Sequence, residues 1–227
     1  MAGRLYIPPL DMVRLLPELR QETPLLTATN LAPRRPLSHI RLEAGRASLS
    51  QVFWGLTPSW LTVLDHAPHC ARAESLDARP MFRDAFSSRR SLVPVGGVYV
   101  WKIQPRFKQP FLVTRVDRGP MLLAGIWSRY HTDLTEHTDS MALVTVSTNE
   151  FLAPLSDRLP ALIDAADAMR WLDPKTAPET AYALLRPAPR ELLGAFPVSR
   201  RVNDPANQDP ACAHPTGPML RWNEQEK

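Results

Sequence analysis

The spacing of apolar and polar residues changes character several times along this chain. Asp11 stands ahead of Met12, Leu15, Leu16 and Leu19, which recur at the three- and four-residue spacing of a short capped helix. Beyond it the spacing around His39 to Leu42 and Val52 to Leu56 predicts strands, and Met81 to Ser88 reads as a helix. From Leu92 the pattern is one of consecutive strands: Leu92 to Val95, Val98 to Ile103, Phe111 to Val116, Met121 to Trp127 and Met141 to Val146, divided by turn signals such as Asp117-Arg118-Gly119-Pro120. The polar stretch Tyr130 to Ser140 reads as a flexible insertion. Helical spacing returns at Asp164 to Leu172 and Pro178 to Leu185, so a meandering sheet with short helices around it predicts one α+β domain.

Composition refines this picture. Twenty-four prolines against nine glycines in 227 residues, scattered among apolar stretches, point to a rigid, loop-rich fold and away from disorder. No linker or repeat interrupts the chain, and the domain is expected to occupy residues 1–210, followed by a tail over 211–227. The opening Met-Ala-Gly-Arg-Leu-Tyr has no apolar core of signal-peptide length behind it, and no run of eighteen apolar residues occurs. The expectation is a soluble, cytoplasmic protein, nucleoid-associated in a bacterium, without a membrane partner. Two cysteines, Cys70 and Cys212, are too few for a disulfide framework.

The net charge is only +4, yet the isoelectric point is about 9.4. Just four of the 27 basic residues are lysine (Lys102, Lys108, Lys175 and Lys227); the rest are arginine, whose planar fork suits phosphate. A GC-rich genome produces the same excess through codon usage, so the excess alone does not locate a binding face.

Blocks of sequence are more specific. In order stand Gly3-Arg4, Asn30-Leu31-Ala32-Pro33, Trp54-Gly55-Leu56-Thr57-Pro58-Ser59-Trp60, Ala71-Arg72-Ala73-Glu74-Ser75 and Phe82-Arg83-Asp84-Ala85-Phe86. Arg89-Arg90-Ser91-Leu92-Val93-Pro94, Gly97-Val98-Tyr99-Val100-Trp101-Lys102 and Ala124-Gly125-Ile126-Trp127 follow, then Thr148-Asn149 with Ser156-Asp157-Arg158-Leu159-Pro160, and Val198-Ser199 with Val202-Asn203. In residues and order this series resembles the SOS response-associated peptidase (SRAP) family, from Gly3 to about Asn207. The resemblance implies a compact α+β domain with a barrel-like antiparallel sheet and a basic groove for single-stranded or junction DNA, intact or abasic. It also implies a cysteine, exposed as residue 2 after Met removal, that closes a thiazolidine with the open sugar aldehyde, assisted by an asparagine, a glutamate and a histidine. No cofactor or metal is implied.

The slots for that chemistry are all altered. Ala2 occupies the cysteine position and has no thiol; Cys70 replaces the asparagine, Val100 the glutamate and Ser156 the histidine. Val100 neither transfers a proton nor accepts a hydrogen bond, and the Ser156 hydroxyl does not titrate near neutrality. Substitution at all four positions fits natural divergence better than one inactivating change at Ala2. The Ala2 amine, with an ordinary α-amino pKa of about 7.7 to 8.0, still permits an imine with an aldehyde. Binding residues fare better: by their place in the blocks, Arg4, Arg72 and Arg158 are the phosphate candidates, with Pro33 and Trp54 at the groove beside the bases. The expected protein is therefore a DNA-binding pseudoenzyme.

Other readings stay open on the sequence. His66, His69 and Cys70, with Cys212 and His214, are metal-ligand types, although their spacing is not that of a zinc finger. Cys70 with His66 or His69 would make a nucleophile and base, and a cysteine filling an amide-sized hole is the plainer alternative. A degenerate groove would also serve a protein partner, with Leu-rich helices near the C-terminus supplying contacts.

Overall fold

The computed structural model describes residues 3–21, 23–61, 67–131 and 136–222. Two sheets carry the fold. Five strands close into a barrel: β3 (Pro36–Glu43), β4 (Arg46–Trp54), β6 (Arg90–Val95), β9 (Met121–His131) and β10 (His137–Ser147), with β10 pairing both β4 and β9. β5 (Cys70–Arg72) and β11 (Arg158–Pro160) attach to β10. The second sheet runs β12 (Leu193–Pro197), β8 (Lys108–Arg115), β7 (Gly97–Ile103), β1 (Leu5–Ile7) and β2 (Ala28–Leu31). The fold is α+β, as the strand and helix spacing predicts. Most pairings are antiparallel, whereas β4 and β5 run parallel to β10.

The consecutive strands from Leu92 do not form one meander. β6, β9 and β10 belong to the barrel, while β7 and β8 form a hairpin in the other sheet. The chain changes sheets at Gly96 and Gly97. A Cβ on Gly96 would lie 2.7 Å from Pro8 Cδ, and one on Gly97 would lie 2.7 Å from Leu112 Cδ1, so glycine lets the chain enter the second sheet close against the end of β1 and against β8. The stretch Tyr130 to Ser140, expected as a flexible insertion, is largely strand: β9 runs through His131 and β10 starts at His137, with their cross-strand register kept. Alternating small and polar side chains hide this, because both ends pair along their length. Residues 132–135 lie outside the described part.

The helices fall where spacing predicts them. Asp11 accepts from the Arg14 N–H and caps α1 (Met12–Leu15); α2 (Pro80–Ser88) starts on proline; α3 (Ala168–Leu172) and α4 (Pro178–Ala183) follow. They cover one face of the barrel, where Ile40, Leu92, Ile126, Val144, Phe86 and Trp171 share a core. A second core, with Leu37, Trp54, Val93, Val100, Val113 and Leu143, lies between the sheets. A third joins Tyr99, Leu112 and Phe196 to Val202 and Cys212, and Leu220 pairs with Ala195 in the backbone, so residues just beyond 210 pack on the second sheet. Among the described residues no helix is long and apolar enough to cross a membrane.

Several buried polar groups pin these layers. Arg90, only 2% exposed, donates to the carbonyls of Trp171, Phe86, Ser87 and Asp173 and so ties α2 and α3 to β6. Among β3, β9 and β10, Asp139 accepts from both Arg41 and Arg129, and Arg41 lies 4.6 Å from the Trp127 ring centre. Burial works against the Asp139 carboxylate, but the two guanidinium bonds outweigh it and hold its pKa at about 2. His39 stands edge-on to the same Trp127, wholly buried, with neither ring nitrogen hydrogen-bonded.

Burial, aided by the nearby Arg41 charge, lowers the His39 pKa from 6.5 to about 3. Between those values the unfolded chain takes up a proton that the folded one refuses, so stability falls as pH falls through this window. Urea unfolding should lose about 1.4 kcal/mol per pH unit below about pH 6. A His39→Leu variant should flatten that slope down to about pH 4, where carboxylates take over; an unchanged slope would show that another group is responsible.

Candidate nucleic-acid interface

A cleft of about 740 Å³ opens where the β7 end, the 153–157 turn and the 203 region meet. It brings together three of the residues singled out from the sequence, Arg4, Val100 and Ser156, and adds Trp101 and Asn203. Arg4 precedes β1, and its guanidinium is built into the wall. Nη1 donates to Asn30 Oδ1 and to the Val202 carbonyl, both at 2.7 Å, and Nη2 to the Asn203 carbonyl at 3.2 Å. Of five guanidinium hydrogens this leaves two unused, on Nε and Nη2. Burial lowers the Arg4 pKa from its ordinary value, while Asp204 and Tyr99 oppose the shift.

Asn30 explains why this wall holds its shape. It is fully buried at the end of the second sheet, and its amide donates to the carbonyls of Val202 (3.1 Å), Asp204 (2.8 Å) and Asn207 (3.0 Å). Gln208 brackets its backbone from both sides, accepting from the Asn30 N–H and donating to its carbonyl. One amide thereby fixes the segment that carries Asn203. Asn203 in turn accepts from Trp101 Nε1 at 2.8 Å, and Arg4 sits 5.9 Å from the Trp101 ring centre. Trp101 is half-buried, so one part of its ring faces the cleft.

Chemistry in the cleft is sparse. Val100 is 3% exposed and belongs to the apolar core between the sheets, so the cleft bottoms on a hydrocarbon side chain. The Ser156 hydroxyl donates to the Arg158 carbonyl at 2.7 Å and shapes the turn into β11. Asp157 and Lys108 stand exposed at the rim. Ala2 and His66 lie outside the described residues.

The remaining sequence candidates gather on the strip formed by β5, β10 and β11. Arg158 is mostly buried: it donates to the Thr145 carbonyl at 2.6 Å and to Glu74 Oε2 at 2.8 Å, and this pairing lowers the Glu74 pKa. Arg72, opposite Thr145 in the register, is exposed and makes no ion pair or side-chain hydrogen bond among the described residues. Arg158 thus supports the strip, and Arg72 is the guanidinium available to a ligand. Trp54, expected beside the bases, is 0% exposed and donates to the His69 carbonyl at 2.8 Å. It has no face to offer, because the barrel closes over it. Pro33 is half-buried in the loop after β2. Trp101 stands quoted within a sequence block without a role; only the hairpin geometry separates it from core tryptophans.

Cys70 packs against the inter-sheet core, and burial pushes its thiol up to about 12, so it is protonated at neutral pH. His69, half-buried and edge-on to Trp54, has its pKa lowered by burial. Cys212 is fully buried in the third core, and His214 lines a separate cavity beside Tyr6 and Pro8. The described residues contain no group of three or more His, Cys, Asp or Glu side chains placed to hold a metal ion.

Comparisons with known proteins agree on one family. The model described as SOS response associated peptidase (SRAP) matches residues 1–205. Abasic site processing protein YoqW of Bacillus subtilis (strain 168) is 29% identical over 185 residues, covering 80% of this chain and 83% of that protein. Abasic site processing protein YedK of Escherichia coli (strain K12) is 26% identical over 189 residues, covering 82% and 83%. Among solved structures, a protein from Bacteroides thetaiotaomicron superposes with a TM-score of 0.73 at 19% identity, covering 93% of this chain and 96% of its own.

A nucleophilic role for Cys70 requires a thiolate that its surroundings disfavour. A thiol reagent at about pH 8 should leave Cys70 unmodified in the folded protein and label it in urea, as peptide mapping would read. Rapid labelling of the native protein at Cys70 would restore the nucleophile.

Proposed function

The chain belongs to the SOS response-associated peptidase family, and we propose that it is a DNA-binding member, acting on single-stranded or abasic DNA in the damage response without a covalent crosslink or self-processing peptidase activity. The printed names of its relatives, abasic site processing proteins, support abasic-site DNA as the partner. A cytoplasmic, nucleoid-associated placement follows from that partner.

The observation that carries this reading is Val100 at the bottom of the cleft. The family's reaction needs a proton moved at the sugar aldehyde, and an isopropyl group moves none. Ala2 compounds the loss. An α-amine that condenses with an aldehyde loses water and gives an imine; only a thiol adding to the same carbon closes the stable ring. Without sulfur, water reverses the imine. Cys70 and Ser156 supply no replacement, the first held protonated and the second engaged with a backbone carbonyl.

Binding needs none of these groups. Arg72 offers an unpaired guanidinium, Arg4 has two unused N–H groups at the cleft wall, and Trp101 offers a partly open ring for an unstacked base. Arg158 contributes indirectly: through Thr145 and Glu74 it holds the strip from which Arg72 projects.

Matched intact and abasic single strands, titrated with protein at rising salt, test the proposal. Binding should be reversible and fall linearly on a log–log plot, and Arg72→Ala should reduce the slope by about 0.7, the value for one phosphate on a single strand. In denaturing gels no adduct should survive unless borohydride is present. Failure to bind either strand at low ionic strength would remove the DNA reading. A reductant-independent adduct would instead show that the crosslinking chemistry persists.

A further inference from the structure

Beside the cleft, β7 and β8 extend as a hairpin that joins exposed apolar side chains to a row of cations. Ile103 is 78% exposed and Phe107 40%, and both stand at the hairpin end. The turn is closed by the Gln104 N–H donating to the Phe107 carbonyl at 2.9 Å, and Ile103 pairs with Lys108. The segment from Trp101 to Gln109 carries Lys102, Arg106 and Lys108 and no acidic residue. Arg200, from the neighbouring turn, places its guanidinium 5.5 Å from the Phe107 ring centre. None of these four cations makes an ion pair or a side-chain hydrogen bond among the described residues. Elsewhere, Arg41, Arg115, Arg129, Arg158 and Arg190 are all paired with carboxylates.

Exposed apolar side chains cost solvation and unpaired cations repel one another, so this combination calls for an occupant that is both anionic and able to stack. A nucleic-acid strand is both, with a phosphate at every step and a π-face on every base. The path is continuous with the cleft: Trp101 and Ile103 lie two residues apart on one face of β7, about 7 Å along the strand, and both line the cleft. Two aromatic–arginine pairs, Trp101 with Arg4 and Phe107 with Arg200, lie along this route.

We infer that the β7–β8 hairpin is a second contact for the strand, in which Ile103 and Phe107 support unstacked bases beyond the cleft and Lys102, Arg106, Lys108 and Arg200 hold the phosphates that follow. This rests on the DNA reading of the cleft and extends it by several nucleotides. An apolar hairpin tip could equally seat a protein, but a protein partner does not account for the adjacent row of cations with no carboxylate among them.

The test uses the full chain and two intact strands, of about four and about twelve nucleotides, the range one such groove covers. Phe107→Ala should leave the short strand bound as before and weaken the long one about tenfold, since one lost base–aromatic stacking contact is worth that order in affinity. Lys102→Gln with Arg106→Gln should lower the salt slope on the long strand alone, by about 1.4. All the altered side chains lie at the surface, and an unchanged melting curve checks the fold. If both variants hold the two strands as the parent does, or lose both equally, the hairpin is not on the path. If the parent holds neither strand, the cleft reading and the hairpin fall together. A hairpin variant that loses a protein partner while keeping the long strand would assign the surface to that partner.

Discussion

Everything at the cleft depends on one buried amide. Asn30 has to satisfy its own polar atoms in a place without water, and it does so on three backbone carbonyls of a segment about 170 residues later in the chain, while accepting from Arg4. The same segment is held from other sides as well, the Val202 carbonyl by Arg4 and the Asp204 carbonyl by the Asn207 N–H. Position follows from that requirement: with Val202, Asp204 and Asn207 fixed, Asn203 is aimed at Trp101, Trp101 is held by its indole N–H, and Arg4 is stretched between strand and loop. The wall is rigid because its hydrogen bonds are shared by residues far apart in sequence, so no one of them can leave without exposing the others.

Such a wall separates binding from chemistry. Its interactions are all structural, and they leave two guanidinium hydrogens and one aromatic face toward solvent. Nothing in them requires a titrating group. The floor is different: whatever occupies the Val100 position is sealed into the apolar core between the sheets. A carboxylate there would be desolvated, and an ion in such a place costs several kcal/mol unless fully paired. Such a penalty is tolerable for a group that works on a substrate. Valine at that position meets no such penalty and packs with the core between the sheets. Cys70 follows the same physics, as a small side chain packed against that core.

How much of this was legible in the sequence follows the range of the interactions. The helices around Met81 and Asp164, the strand around His39 and the family blocks are local patterns, and they place the α+β class; the fold then brings Arg4, Val100 and Ser156 to one cleft. Which sheet each strand joins is not local. β6 and β7 are both apolar runs separated only by Gly96, yet β6 pairs with β3 and β9 in the barrel while β7 pairs with β1 and β8 in the second sheet. Tryptophans show the same limit. Trp54 and Trp101 both sit in conserved-looking blocks of strand, yet one is closed in by the barrel and bonded to His69, while the other is left half open by a hairpin edge.

The arginines carry the point furthest, because the abundance that made composition uninformative resolves into two kinds once partners are known. Arg90 and Arg158 are internal struts: their planar donors reach several carbonyls or a carboxylate at once, which lysine could not do. Arg72 and the cations of the β7–β8 hairpin make no ion pair or side-chain hydrogen bond among the described residues. A net charge of +4 is therefore misleading as a measure of the surface a strand would meet, since carboxylates such as Asp139, Glu74 and Glu150 are matched to arginines, while Lys102, Arg106 and Lys108 on the hairpin beside the cleft make no ion pair among the described residues. Local excess, rather than total charge, decides where a polyanion settles. On this chain the same face also bears the open aromatic ring and the built wall, so charge, stacking surface and rigidity coincide around a cleft floored by Val100.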